Sequence, residues 1–394
     1  MDNSILNPQI NLSGNAVSKD PFLSAAEASA LLGVRPASLY AYVSRSRLRA
    51  LPHPHDMRAR LYRRDEIEAL ALRKKQQARP GEAAAHALDW GLPVLASTVS
   101  SIANGRLFYR GRDAADLAEK ASIEDVAALL WGTETVAFTG GSRRETPRDG
   151  TAIDRAIAAL AADLPDALPG EQGARRMMRA CRTVRRIAAA SSVGWLAEGP
   201  LHIALAAAWQ SAGAADAIRR ALVLLADHEL NASTFAVRVA ASTATPLTHA
   251  VIAGLATLAG PRHGGATQRV AAFLDEARHF DDPERAVSAR LARGEDLPGF
   301  GHRLYPNGDP RAAALLPVIG IDSAAERLIQ AAEAATGLRP TVDVALVMLE
   351  RRFRLPREAA LALFAIGRSV GWIAHAMEQA QSGQLIRPRA QLSG

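Results

Sequence analysis

With 394 residues, 48% of them hydrophobic, the chain can bury a large core and form more than one domain. This composition excludes a disordered or fibrous polypeptide, and no uninterrupted apolar run reaches the roughly 20 residues that crossing a bilayer requires. The formal charge of +7 is almost all arginine, since Lys19, Lys74, Lys75 and Lys120 are the only lysines, so its distribution tells more than its total.

Residues 1–20 are polar and lack the charged start and apolar stretch of a secretory signal, so a disordered tail on a cytoplasmic protein is expected. Residues 21–75 read as a small module. Ser24 with Glu27 three places on makes a capping box for a helix ending at Gly33. Pro36 suits the first turn of a second helix over 37–45. Leu31, Val34, Leu39 and Val43 are expected to face a small core. Arg60, Leu61, Tyr62, Arg63 and Arg64 suit a wing strand, and Asp65 opens a third helix. The pattern resembles a winged helix-turn-helix of the MerR or excisionase type. Basic residues heavily outnumber acidic ones between Arg35 and Arg79, and Tyr40 and Tyr42 lie nearby. Duplex DNA is thus a candidate partner for residues 22–79. The same fold also serves oligomer or effector contacts, its charges merely solvated. Residues 76–87 have the composition of a linker.

Beyond the linker, apolar spacings of three and four recur, as over 155–160 and 219–225, and strand-like alternation is scarce; the body is expected to be mainly α. Cys181 is the only cysteine, which forbids an internal disulfide and suits a reducing compartment. Arg179 and Arg182 beside it could activate the thiol, though a packed helix position is the plainer role. His53 and His55 have no cysteine partners and no His-Glu-x-x-His occurs, so no metal is expected.

Four polar stretches then follow in order. Asp227-His228-Glu229-Leu230-Asn231-Ala232-Ser233-Thr234-Phe235 would by itself pass as the polar patch of an amphipathic helix. Gly260-Pro261-Arg262-His263-Gly264-Gly265-Ala266 wedges a histidine between a proline and two glycines. Gly299-Phe300-Gly301-His302, with Asp309-Pro310-Arg311 downstream, sets a histidine on a glycine-flanked loop and an arginine nine residues later. Glycines let backbone approach a ligand closely, an imidazole can donate to a carbonyl oxygen, and a guanidinium grips a carboxylate. That is equipment for holding a keto acid. In Arg339-Pro340-Thr341-Val342-Asp343, the aspartate alone would be an ordinary N-cap for a helix over 344–352.

These stretches, with Ser101-Ile102-Ala103-Asn104-Gly105-Arg106 upstream and Gly367-Arg368-Ser369-Val370-Gly371-Trp372-Ile373-Ala374-His375 downstream, resemble the citrate synthases, including the 2-methylcitrate synthases. The resemblance runs from about residue 88 to 389. It implies a two-domain helical fold, with a large domain over 88–264 and 355–394 and a small one over 265–354. It implies condensation of acetyl-CoA with oxaloacetate and hydrolysis to citrate and CoA, with acetyl-CoA as co-substrate and no permanently bound cofactor. Asp343 matches the base, His263 the donor to the thioester oxygen, and His302 the group polarising the ketone. His228, Arg311, Arg368 and Arg387 match oxaloacetate-binding residues. Arg387 would reach from another subunit, which makes a homodimer or larger assembly the expected state. Gly299 and Gly301 match the loop against which the CoA ester lies.

The sequence departs from the family's pattern at Arg262, Thr267, Val344 and Pro306. The first three would reshape the acyl pocket and the last removes a basic contact to CoA phosphates. Two alternatives follow: a 2-methylcitrate synthase using propionyl-CoA, and a DNA-binding regulator whose synthase-derived body senses a ligand.

Overall fold

The computed structural model describes residues 22–34, 39, 50–53, 56–64, 66–68, 70–71, 95–139, 149–192 and 196–389. The chain divides into two compact units, residues 1–96 with 390–394, and residues 97–389.

In the first unit, β1 (Phe22–Ser24) leads into α1 (Ala25–Leu32), and β2 (Ala50–His53) and β3 (Asp56–Arg63) follow. The strands form an antiparallel sheet in the order β1-β3-β2, with Leu23 opposite Tyr62 and Leu51 opposite Leu61. The expected capping box is formed: Ser24 Oγ accepts from Glu27 N, and the Glu27 carboxylate accepts from Ser24 N at 2.8 Å. Gly33 closes α1 in the left-handed region at φ 58°. Leu23, Ala28, Leu32, Leu39, Tyr62 and Ile67 make the core, with Val34 against its edge. Leu31, expected inside, is 41% exposed. Ala28 and Leu32, one turn apart, define the inward stripe, and Leu31 lies beside it on the outer face. The rest of the expected second helix, including Val43, lies outside the described residues. So do Asp65, the linker, and most of the basic patch, including Arg35, Arg45, Arg47, Arg49, Arg73 and Arg79.

The second unit opens with a small antiparallel sheet of β4 (Ser100–Ala103), β5 (Arg106–Tyr109) and β6 (Arg112–Asp113). Helices follow: α2 (Ala114–Lys120), α3 (Ile123–Trp131), α4 (Ala152–Ala161), α5 (Gly173–Ser191), α6 (Leu201–Ala208), α7 (Ala215–Leu225) and α8 (Ala232–Ser242). The remainder are α9 (Leu247–Leu258), α10 (Gly265–Ala277), α11 (Pro283–Ala292), α12 (Pro310–Ile319), α13 (Ser323–Thr336), α14 (Val342–Arg352) and α15 (Ala359–Ser382). The mainly α body expected from the spacing is what forms. Cys181 packs inside α5, where burial pushes its thiol pKa up rather than activating it.

α15 is the axis of this unit. It packs against α3, α4, α5, α7, α8, α9 and α14. Among the described residues it alone is long and apolar enough to cross a membrane, yet 94% of its apolar window is buried inside the protein. A helix apolar on every side is what a core helix should be. Two glycines one turn apart, Gly367 and Gly371, let the end of α7 lie directly on it. A Cβ at Gly371 would lie 2.3 Å from Ala226 O and 2.4 Å from Asp227 Oδ1. Carbonyls at the end of α7, orphaned by helix geometry, find donors from neighbouring elements. Tyr109 Oη serves Val223 and Leu224 at 3.0 and 3.1 Å, Arg368 Nε serves Leu225 at 3.0 Å, and Gly371 N serves Ala226 at 2.9 Å. The chain therefore leaves α7 at a fixed point, and His228 is two residues on.

Candidate active site

Residues 227–231, which alone would pass as part of an amphipathic helix, form a loop. Its α7 end is tied off laterally, Glu229 takes a left-handed φ of 50°, and Asn231 Oδ1 caps α8 by accepting from Thr234 N at 3.0 Å. His228 is thereby buried, its Nε2 3.0 Å from the Tyr305 hydroxyl. Ring contacts continue to His302, whose centroid is 5.4 Å from that of His228 and 4.9 Å from that of Tyr305. Leu304 N donates to His302 Nδ1 at 3.2 Å, so a neutral His302 carries its proton on Nε2.

The Gly299-Phe300-Gly301 loop is stitched to the strand-like segment before α14. Thr341 N donates to Gly299 O at 2.7 Å and Gly301 N to Arg339 O at 2.9 Å, with Phe300 and Pro340 facing each other in an antiparallel bridge. Gly299 adopts φ 84°, a conformation an L side chain resists, and a Cβ there would lie 2.5 Å from Val344 Cγ2. This main-chain seam brings the His302 loop to the start of α14. Asp343 is not the N-cap of that helix. Thr341 occupies the cap and Asp343 sits in the first turn, because Asp309 already caps the Val342 N–H at 2.9 Å. The Asp343 carboxylate accepts from Thr341 Oγ1 at 3.3 Å.

Asp309 was visible in the sequence only as a residue before proline. It is the N-cap of α12, and it grips Arg311 with both oxygens, at 2.9 Å to Nε and 2.8 Å to Nη2. Arg311 in turn lies over the Tyr305 ring, 5.5 Å from its centroid. Tyr305 and Asp309 are thus site residues that motif reading passed over. An Asp-Pro step is a readable helix start, but its second use as a counter-ion depends on tertiary contacts.

His263 stands on the far side of Phe364, whose ring meets it edge-on at 6.1 Å and carries the Arg368 guanidinium at 4.8 Å. Its Nε2 lies 2.8 Å from Ser233 Oγ, which is itself 2.7 Å from Asn231 Oδ1. An amide oxygen only accepts, so the hydroxyl donates to Asn231 and receives the proton on His263 Nε2. Arg368 is 1% exposed, and among the described residues its Nη2 has no hydrogen-bond partner. Arg387 is exposed on the segment after α15, and no hydrogen bond or ion pair joins it to these groups within the chain, among the described residues.

Burial and the two guanidiniums set the ionisation here. Burial, with Arg368 adding to it, lowers His263 to about 4; burial and Arg311 lower His302 to about 4. Burial, then Arg311 and Arg368, hold His228 well below the usual imidazole range. All three rings are neutral at pH 7. Burial pushes the Asp343 carboxyl above its ordinary value, although Arg311 opposes this. Burial and the field of Arg311 lower Arg368 to about 10, with Asp227 working the other way. Each of these three rings and the Asp343 carboxyl therefore feels Arg311, Arg368 or both. Their field links His228, His302 and Asp343, and also reaches His263. Among the described residues no group of three or more histidine, cysteine, aspartate or glutamate side chains is placed to hold a metal ion.

A sequence profile described as "Citrate synthase, C-terminal domain" matches residues 87–186 and 147–389. Citrate synthase 2 of Bacillus subtilis is 30% identical over 353 residues, covering 77% of this chain and 94% of that protein. The 2-methylcitrate synthase of Mycobacterium tuberculosis is 32% identical over 339 residues, covering 73% and 84%. Among solved structures, citrate synthase from Thermotoga maritima aligns with a TM-score of 0.63 at 26% identity, covering 77% of this chain and 94% of that one. The family match and these relatives define a condensing enzyme of the acyltransferase type. The chain belongs to the citrate synthase family, and its activity is citrate synthase-like.

Proposed function

We propose that the substrates are acetyl-CoA and oxaloacetate and that the products are citrate and CoA. What supports this reading is that two buried guanidiniums, Arg311 and Arg368, act on neutral His228, His263 and His302, and that Arg311 also acts on the raised carboxyl of Asp343. A dicarboxylate needs fixed positive charge, and Arg368 with its unpartnered Nη2 supplies the first clamp. Arg311, partly neutralised by Asp309, supplies the second, and Arg387 of a second copy of the chain the third. His228 adds a hydrogen bond. Asp343 removes a proton from the methyl carbon beside the thioester, a task suited to a carboxylate made more basic by burial. His263 stabilises the enolate oxygen. The nucleophilic carbon attacks the ketone, and His302 Nε2–H donates to the oxygen that becomes an alkoxide. Water then cleaves the thioester.

A cavity of ≈ 360 Å³ beside the loop, lined by His302, Arg303, Tyr305, Leu338 and Arg339 among others, suits the CoA ester. Pro306 also lines it, where the family's usual basic residue would add a phosphate contact. The small domain over 265–354 closes on the substrates and excludes water. For the first unit we keep the winged helix-turn-helix reading, supported by its capped helix and antiparallel hairpin. Duplex DNA as its partner rests on basic residues mostly outside the described region.

Thiol release by the purified protein with oxaloacetate and either acetyl-CoA or propionyl-CoA tests the main reading. We expect the higher kcat/KM with acetyl-CoA. A reversed preference would make the chain a 2-methylcitrate synthase, the activity named for one of its relatives. No release with either ester would remove the condensation reading.

A further inference from the structure

A chain of charged and polar groups, buried at Arg238, His375 and Asp227, runs behind the site. At its outer end Glu378 accepts from Thr98 N at 2.7 Å, from Thr98 Oγ1 at 2.8 Å, and from Arg238 Nη1 at 2.5 Å. Arg238, 3% exposed, also donates from Nε to Gln379 Oε1 at 2.9 Å. The same Nη1 lies 3.2 Å from Nδ1 of His375, which is 1% exposed. A guanidinium has donors only, so Nδ1 must accept and the neutral ring carries its proton on Nε2. That proton points at Asp227 Oδ2, 3.1 Å away. Ser100 Oγ also donates to Oδ2, and accepts in turn from Glu229 N at 3.0 Å.

Asp227 is fully buried. One of its oxygens is held twice. The other, Oδ1, has no hydrogen-bond partner among the described residues, and the same is true of Arg368 Nη2. The two arginines of the site therefore differ. Arg311 carries its own carboxylate in direct contact, whereas Arg368, without an ion pair among the described residues, is balanced through space by Asp227. Burying that many charges costs free energy unless each is paired or hydrogen-bonded, and such a network specifies one geometry. The backbone agrees: Asp227 reaches α15 only because Gly371 leaves room for it.

We propose that His375 is a positioning residue. Locked in one tautomer by Arg238, it holds the Asp227 carboxylate as the counter-charge that aims Arg368 at a substrate carboxylate. The inference rests on the reading of Arg368 as an oxaloacetate clamp. His375→Leu removes both hydrogen bonds, and Asp227→Asn removes the charge while keeping the shape. His375→Gln keeps both bonds, since its amide offers one donor and one acceptor. Both disruptive variants should raise KM for oxaloacetate roughly tenfold or more with kcat changed only a few-fold, the signature of lost ground-state binding. The glutamine variant should return KM to within about threefold of the parent. A folded His375→Leu protein with unchanged KM, or one whose kcat falls while KM stays, would overturn the proposal. Should His375→Leu fail to fold, unchanged oxaloacetate affinity in Asp227→Asn does the same. Calorimetric titration with oxaloacetate, in the absence of any acyl-CoA, reads the effect even if the parent releases no thiol. Failure of the condensation reading and failure of this one are thereby kept apart.

Discussion

At the scale of single residues, the site is a contest over protons. Asp343 is placed in the first turn of α14, where the helix end favours its anion, yet burial wins and its carboxyl pKa is raised. A base poised higher is better matched to abstracting a weakly acidic proton. Asp343→Asn keeps the shape and the reach to Thr341 but cannot take a proton. Turnover should fall by about 10² to 10⁴, while the oxaloacetate dissociation constant stays within about threefold; a near-parental rate would move the base elsewhere. His263 poses a finer question. With its proton on Nε2 toward Ser233, a neutral ring has a bare Nδ1 and cannot donate from that side. To donate from Nδ1 it must exchange tautomers, which the Ser233 hydroxyl allows by rotating from Asn231 toward Nε2. None of this was readable in the motif, because Ser233 and His263 lie thirty residues apart.

At the scale of elements, the sequence showed the helices well and their junctions poorly. The Ser24–Glu27 box and the Gly33 stop came through because each is a local rule with local atoms. Local patterns do not show why Asp343 is left out of the N-cap or why residues 227–231 form a loop. In both places a distant group had already claimed the backbone: Asp309 at Val342, and Tyr109, Arg368 and Gly371 at the end of α7. Leu31 failed for a different reason, since a short helix with apolar residues on several faces leaves the inward stripe undecided. The α7–α15 junction carries its own prediction. Gly371→Ala places a methyl against Ala226 O and Asp227, and the backbone there cannot yield cheaply. We expect a loss of ~1–3 kcal/mol of stability together with weaker oxaloacetate binding, measured by urea unfolding and by calorimetry. Parental stability would mean that α7 can slide.

At the scale of the whole molecule, the fold holds His228, His263 and His302 in their neutral form, the first buried and the other two half-buried, and this makes stability depend on pH. In the unfolded chain such rings bind a proton near pH 6.5; folded, His263 and His302 do so only near 4, and His228 is also well depressed. Between those values the unfolded chain holds more protons. The contribution is therefore complete above about pH 6.5 and is lost as the pH falls toward 4. Asp343, raised rather than lowered, opposes this at the acid end. The expected result is a Tm that drops from pH 7 to pH 5, with a shallower slope in a His302→Asn variant. An equal slope would place the acid sensitivity elsewhere.

The seam joining Gly299 and Gly301 to Thr341 and Arg339 is made by main-chain atoms alone. Apart from the two glycines, whose backbone conformation resists a side chain, the residues around it can drift over generations without parting the imidazole from the carboxylate. Arg262, Thr267 and Val344, where the sequence departs from the family's pattern, contribute no hydrogen bond to that clasp. A lineage built this way can explore new esters by changing the lining and sparing the machinery.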